Sequence, residues 1–391
     1  MKLFSVVGAR PQFIKLGMID LALQRSVVGK IRHRVVHTGQ HYDANLSQIF
    51  FEELGLPIPD ENLGVGSGTH GGQTARMLEA LDGLFARERP DLVLTYGDTN
   101  STLAAALAAA KLGVPVAHVE SGLRSYRKSM PEEINRVLTD HLSTLLFCPT
   151  TQAFANLANE GINGAIGEGS LVSEAFMAPP RVPSPDTPWV VNVGDVMYDS
   201  VLHHVGRASE GKSTPSALPP LAASYAVMTV HRAENTDDVV RLRGILEAAS
   251  RIASGGTPVV FPIHPRTRAA IERESLAALL DELVVVEPVS YYDMLRLTKD
   301  AELVITDSGG LQREAFMLGR PCVTLRDETE WVELLETGIS ALGGADPERI
   351  LHATDRVTGC SAVPPTSPYG DGRAADRIVR ILRAWRDGAG A

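Results

Sequence analysis

Residues 303–314 read LVITDSGGLQRE, and the fold turns on how this stretch is parsed. Leu303 to Thr306 are apolar or β-branched without polar alternation, the pattern of a strand covered on both faces. Asp307, Ser308, Gly309 and Gly310 break the run, and LQREAFMLG then carries apolar residues at helical spacing. Strand, bare turn and helix in succession are half of a parallel βαβ unit. A helix that opens on Ser-Gly-Gly presents backbone N–H groups with no side chain in the way, backed by the positive end of the helix dipole. Either Ser308 simply caps the helix while the glycines let the chain turn, or an anion such as a diphosphate rests there. In the second case Glu314, one turn on, is placed to accept hydrogen bonds from ribose hydroxyls.

The same grammar recurs outward from this stretch. LFSVVG, HRVVHTG, LVLTYGD, PVAHVE and LLFCPT in the first part, and AVMTVH, PVVFPIH, LVVVEP, LVITD and PCVTLR in the second, are short apolar runs separated by helical patterns. They predict an α/β protein with two parallel sheets. Between the two series, residues 161–188 hold GINGAIGEGS and APPRVPSPDTP, too rich in glycine and proline to continue a sheet, and KSTPSALPP (212–220) is a second soft spot. The chain closes on RAADRIVRILRAWRD, an amphipathic helix suited to packing back on a lobe.

With 391 residues and 44% hydrophobic composition the chain can bury the cores of two domains. Its formal charge of −10 argues against nucleic-acid or anionic-membrane partners, which need a broad cationic face, while leaving room for a small anion in a locally basic cleft. Cys148, Cys322 and Cys360 are scattered, lack metal-ligand spacing and read as inert thiols. MKLFSVVGAR is too short an apolar run for a signal-peptide core, and a cytoplasmic protein is expected.

Ligands of open parallel sheets sit at the carboxyl ends of strands, so the loops there are searched for chemistry. GARPQFIKL places Arg10 after the first strand, Pro11 at the helix start and Lys15 one turn on, both cations within reach of one anion. Asp98 in GDTNST, Glu120 in HVESGLRS, and Glu132 and Glu133 in MPEEINR put carboxylates at one rim. Singly, each has an ordinary explanation as a helix cap or dipole partner; together they suit proton transfer, because neighbouring carboxylates separate into an acid and a base. His231 with Arg232 and His264 follow strands in the second half. Metal binding is not expected: HRAEN is not HExxH, and His37, His41 and Asp43 lack a further ligand. The G-x-G-x-x-G at Gly66, Gly68 and Gly71 follows LGLPIPDENL, which does not read as a strand, so a loop before a helix is expected there.

GARPQFIKL, GDTNST, HVESGLRS, PEEINR, TVHRAEN and TDSGGLQREA, in this order, resemble the non-hydrolysing UDP-N-acetylglucosamine 2-epimerases over residues 1 to about 340. The resemblance implies the glycosyltransferase-B architecture: two Rossmann-like domains facing a cleft, with the C-terminal helix crossing back to the first. Residues 1–188 with 368–391 would form the N-terminal domain, and 189–367 the C-terminal, UDP-binding one. It implies a homodimer that takes a UDP-sugar and needs no cofactor. Asp98, Glu120 and Glu132 match the family's proton-transfer carboxylates, with no one of them assigned as base, and His231 matches its histidine, expected with Arg10 and Lys15 to stabilise a departing diphosphate. Arg136 is expected to orient Glu132, and Ser308, Gly309, Gly310 and Glu314 match the UDP-holding turn.

This chain departs from the family's pattern at three places. Trp331 and Val332 stand where many members carry Arg-Pro, which bears on the sugar substituents read there. Met294 replaces an aromatic expected beside uracil, offering softer apolar contact. Asp43 stands where substrate-activated bacterial members use glutamine. The alternatives are a 2-epimerase of another UDP-2-acetamido sugar, a hydrolysing 2-epimerase releasing free N-acetylmannosamine, a glycosyltransferase on the same fold, and a non-catalytic nucleotide-sugar sensor.

Overall fold

The computed structural model describes residues 1–26, 31–40, 55–56, 58–173, 182–209, 223–359 and 367–389. His41, Asp43, the KSTPSALPP soft spot, Cys360 and residues 174–181 of the Gly/Pro-rich insert lie outside them, as does the side chain of Arg10. The chain divides into two compact units, Met1–Ser200 with Pro368–Ala391, and Val201–Ser367.

The first unit is built on β1 (Lys2–Val7), β2 (Arg32–His37), β3 (Glu61–Asn62), β4 (Leu92–Tyr96), β5 (Val116–Val119), β6 (Leu145–Cys148), β7 (Ala165–Ile166) and β8 (Trp189–Asn192). They lie in the order β3-β2-β1-β4-β5-β6-β8-β7. Every pairing is parallel, with Leu3 beside Leu92 and Val119 beside Phe147. The unit's helices are α1 (Arg10–Arg25), α2 (His70–Glu88), α3 (Asn100–Lys111), α4 (Pro131–Leu142), α5 (Thr151–Asn159) and the start of α6 (Val196–Ser209). The sequence of α3, NSTLAAALAAAK, explains its central place: Ala104, Ala105, Ala106, Ala108 and Ala109 are fully buried against Phe4, Val6, Met77, Leu81 and Phe85. Small side chains let α2 and α4 approach α3 closely, and each large side chain buried contributes about 1.5–3 kcal/mol.

The second unit is built on β9 (Ala226–Thr229), β10 (Val259–Pro262), β11 (Val284–Val286), β12 (Leu303–Thr306), β13 (Cys322–Thr324) and β14 (Ser340–Leu342). Their order is β11-β10-β9-β12-β13-β14, again parallel throughout. Its helices are α7 (Ala233–Thr236), α8 (Val239–Ser254), α9 (Pro265–Arg273), α10 (Tyr291–Asp300), α11 (Gly309–Met317), α12 (Val332–Glu336) and α13 (Pro347–Val357). Met228, Ile245, Leu246, Phe261, Ile305 and Val323 anchor its core. The last helix, α14 (Ala374–Ala389), belongs to the first unit and packs on α1.

Two α/β sheets with buried parallel strands are what the unalternating apolar runs predicted. Two details differ from the expectation. The sequence reading began the second domain at 189, but Trp189–Asn192 pairs with β6 in the first sheet and the chain divides after Ser200, because WVVN is one more fully buried run of the first series. PDENL, read as loop, contributes the two-residue β3 through a pairing with β2 too short to leave an apolar pattern. Among the described residues, no helix is long and apolar enough to cross a membrane.

Candidate functional site

In each sheet the strand order runs outward and then reverses, at β1/β4 in the first unit and β9/β12 in the second. Ligand crevices of doubly wound folds open at the carboxyl ends of such strand pairs. The turns leaving these four strands hold Arg10, Asp98, His231 and Ser308.

In the first unit, Gln12 ties two turns together. Its Oε1 accepts from the Gly8 and Ala9 amides at 2.7 and 3.1 Å, and its Nε2 lies 2.6 Å from Tyr96 O and 2.9 Å from Thr102 Oγ1. The loop after β1, which carries Arg10, is thereby fixed to the loop after β4, which carries Asp98. Lys15, one turn further along α1, forms a buried ion pair with Glu120 at the end of β5. Glu120 holds this position with φ at 73°, a left-handed conformation that non-glycine residues adopt at a cost of about 1–3 kcal/mol and that collects at functional sites. Gly97 turns at φ 61°, and a Cβ there would sit 3.2 Å from Glu120 Oε2 and 3.7 Å from Lys15 Nζ, so glycine makes room for the pair.

Asp98 follows at once, with its Oδ2 2.5 Å from the Arg136 guanidinium and its side chain 35% exposed. Its carbonyl accepts from Asn135 Nδ2 at 2.9 Å. PEEINR lies on the first turns of α4 and there separates its two acids. Glu132 is on the exposed face. Glu133 is 2% exposed and accepts from Ser125 N at 2.9 Å, Ser125 Oγ at 3.0 Å and Tyr126 N at 2.8 Å, with Arg136 3.4 Å away. Arg136, expected to orient Glu132, lies against Asp98 and Glu133. Two further expected catalytic groups, Asp98 and Glu120, thus come to one rim with Lys15 and Arg136 as cationic partners.

In the second unit, Asp307 is fully buried at the end of β12 and organises the turn after β9. Its carboxylate accepts from His231 N at 3.0 Å, Arg232 N at 2.9 Å and Asn235 Nδ2 at 3.2 Å. Its Oδ1 is also 3.2 Å from His231 Nδ1. That contact places a proton on Nδ1 and turns Nε2 the other way, and the ring remains 40% exposed. Ser308 caps α11 by accepting from Leu311 N at 3.3 Å, and Gly309 and Gly310 open the helix. A Cβ on Gly309 would lie 3.1 Å from Glu330 Oε1 and 3.9 Å from Arg232 Nη2, so glycine keeps this helix start open beside two charged side chains. Glu314 is buried on the same helix.

Met294 is partly buried and packs against two apolar clusters, one holding Leu311, Ala315 and Cys322 and the other Tyr225 and Val227. Trp331 is 2% exposed and lies under the Arg313 guanidinium, 3.9 Å from its ring centre, a cation–π stack worth about 2 kcal/mol when desolvated. The loop from Arg326 to Trp331 grips α11 further through Thr329 Oγ1, which donates to Gln312 Oε1 at 3.1 Å, while Arg326 holds Glu330 at 2.8 Å. His264 caps α9 by accepting from Arg266 N, a structural duty. Among the described residues no group of three or more His, Cys, Asp or Glu side chains is arranged to hold a metal ion.

Gln12 and Asp307 escaped the sequence reading, as did the buried, structural placement of Glu133. Gln12 left a trace, since glutamine three residues past a helix cap reaches back to orphan amides. Asp307 left another: an acid ending a fully buried strand needs several donors.

Two sheets of one strand order, each gathering its polar turns at the reversal point, place the chain among the doubly wound α/β proteins. More narrowly, it belongs to the UDP-N-acetylglucosamine 2-epimerase family, whose model matches residues 23–383. A UDP-2,3-diacetamido-2,3-dideoxy-D-glucuronate 2-epimerase of Pseudomonas aeruginosa is 46% identical over 98% of this chain and 99% of its own length. A UDP-N-acetylglucosamine 2-epimerase of Methanocaldococcus jannaschii is 40% identical over 98% and 99%. The crystal structure of the M. jannaschii enzyme with UDP-GlcNAc and UDP superposes with a TM-score of 0.83, covering 98% of this chain and 99% of that one. A Neisseria meningitidis UDP-GlcNAc 2-epimerase bound to UDP-GlcNAc, 26% identical, gives 0.81 over 98% and 100%.

Proposed function

We propose that the protein interconverts UDP-N-acetylglucosamine and UDP-N-acetylmannosamine. The observation that carries this reading is the carboxylate pair of the first unit: Asp98, held on Arg136 at the reversal point of its sheet, and Glu120, held left-handed on Lys15 at the end of the next strand. The hydrogen at C2 of the sugar has no neighbouring carbonyl to acidify it, so its removal must be coupled to departure of the nucleotide. The C1–O bond breaks with its electron pair leaving on UDP, the C2 proton passes to a carboxylate, and a C1=C2 double bond forms, giving a bound 2-acetamidoglucal. Return of UDP to C1 with protonation of C2 from the opposite face gives the other epimer, and atoms balance with no external reagent. Asp98, Glu120 and Glu132 are the proton-transfer set. Ser308, Gly309 and Gly310, with the dipole of α11, hold the diphosphate, and His231 through Nε2 meets the charge that develops on it, as Arg10 and Lys15 do. Glu314 binds ribose, and Met294 packs beside uracil.

A second reading rests on the P. aeruginosa relative, which is more similar than the M. jannaschii one, and on Trp331, stacked under Arg313, standing with Val332 where the family pattern has Arg-Pro. On that reading the substrate is a UDP-2-acetamido sugar carrying a carboxylate and a further acetamido group. Incubation in D₂O with UDP-N-acetylglucosamine decides first: deuterium at C2 of recovered nucleotide sugar supports it as the substrate, and binding without exchange refutes that assignment. A substrate panel including the diacetamido uronate then ranks the two. Free N-acetylmannosamine among the products would point to the hydrolysing reaction, and donor consumption only with an acceptor to a transferase.

A further inference from the structure

A buried chain of charges lies in the first unit with no part in the proton transfer just described. His118, in β5 two residues before Glu120, is fully buried. Its Nε2 is 2.7 Å from the carbonyl of Gly97, the residue before Asp98, and its Nδ1 is 2.6 Å from Asp140 Oδ1 on α4. Asp140 is also fully enclosed; its Oδ2 accepts from Gly122 N at 3.1 Å and Arg124 Nη1 at 2.8 Å. Arg124 in turn closes a bidentate pair with Glu160, at 2.7 Å through each oxygen.

The proton count follows from what each acceptor can do. A peptide carbonyl only accepts, so Nε2 must carry hydrogen. Asp140 takes an amide and a guanidinium on one oxygen, the pattern of an ionised carboxylate. An ionised Oδ1 only accepts as well, so Nδ1 carries hydrogen too, and a ring protonated on both nitrogens is an imidazolium. The charges then alternate: His118 positive, Asp140 negative, Arg124 positive, Glu160 negative, the arrangement that makes burial of charge tolerable.

We propose that His118 is a positioning residue donating from both ring nitrogens, joining through Gly97 and Asp140 the turn that presents Asp98 to the loop that presents Glu120. It clamps the Gly97 carbonyl on one side, and on the other Asp140 pins Gly122, two residues beyond Glu120. Both carboxylates thereby share one rigid, electroneutral support. This inference deepens the epimerase reading and rests on it for its kinetic consequence, while the charge state of the ring does not.

The test joins a spectrum to a kinetic comparison. Wild-type protein labelled with ¹⁵N-histidine, with the His118 signal assigned by loss in His118→Gln, should show both ring nitrogens protonated. Asp140→Asn should return the ring to a neutral tautomer and lower kcat for C2 deuterium exchange about 10–100-fold, the scale of a small misplacement of catalytic groups, with UDP affinity within about twofold. A neutral His118 in the wild type would overturn the proposal. So would wild-type kcat in Asp140→Asn. If Asp140→Asn fails to fold, Glu160→Gln loosens Arg124 from the rim and should lower kcat without changing UDP affinity; equal losses in both would show a merely structural network and overturn it. Absence of C2 exchange in the wild type would instead overturn the epimerase reading, leaving the ring to be judged on its spectrum.

Discussion

Glu132 and Glu133 are identical neighbours, the first exposed and the second buried, and replacing each by glutamine separates the roles proposed for them. Glu133 spends its two oxygens on Tyr126 N on one side and on Ser125 N and Oγ on the other, with Arg136 nearby. Glutamine keeps one acceptor. Whichever oxygen becomes the amide nitrogen, at least one buried donor then faces another donor. Hydrogen bonds to a charged acceptor contribute about 1.5–3 kcal/mol each, and a stranded buried group costs about 1–3 kcal/mol, so the net loss in Glu133→Gln is about 2–4 kcal/mol after relaxation. For a unit of this size that lowers Tm by roughly 5–15 °C.

Glu132→Gln alters an exposed side chain and should leave stability within about 0.5 kcal/mol, while removing a proton-transfer group should lower kcat about 10²–10⁴-fold. Urea unfolding followed by circular dichroism gives the first quantity, and C2 deuterium exchange at saturating substrate the second. Equal destabilisation by both substitutions, or a stable Glu133→Gln variant beside a fully active Glu132→Gln one, would refute the assignment of α4.

Three further outcomes are expected. Lys15→Met leaves the Glu120 carboxylate buried without its cation and should cost about 3–5 kcal/mol, most of it restored in the Lys15→Met, Glu120→Gln double variant; additive losses in the double-mutant cycle would contradict the pairing. Asp307→Asn sets an amide against the amides of His231 and Arg232, destabilising by about 1–3 kcal/mol and weakening UDP binding measured by calorimetry; unchanged binding would remove the turn from the site. Burial pushes the Asp199 carboxyl up from 3.8 to about 7, against the opposing pull of the Ala375 and Ala374 amides, with Asp195 and Asp376 adding to the rise. Between those two pH values the folded chain keeps a proton that the unfolded chain releases, so this group's contribution to stability falls as pH rises from about 4 to about 7; Asp199→Asn should flatten that part of the urea-midpoint profile.

What was legible in the sequence follows from which interactions leave a local pattern. A strand buried on both faces must be apolar at every position, so LFSVVG, AVMTVH and LVITD announce parallel sheets from a few residues each. The carboxyl ends of those strands locate the chemistry, and Asp98, Glu120, His231 and Ser308 all lie within a few residues of such an end. Strands of two residues, such as Glu61–Asn62, leave no pattern and stayed hidden. So did the difference between Glu132 and Glu133, because it depends on a loop folding over one face of α4 and not on either residue. The largest hidden feature is the chain from His118 to Glu160. Its members are scattered between residues 118 and 160, and each alone resembles an ordinary strand, helix or surface residue. Only the tertiary arrangement, which sets a carbonyl on one ring nitrogen and an ionised carboxylate on the other, shows that a cation is enclosed beneath the rim. Asp98, Glu120 and Glu132, the acids proposed for the proton transfer, sit in motifs, whereas the enclosed charges proposed to keep them in place sit in none.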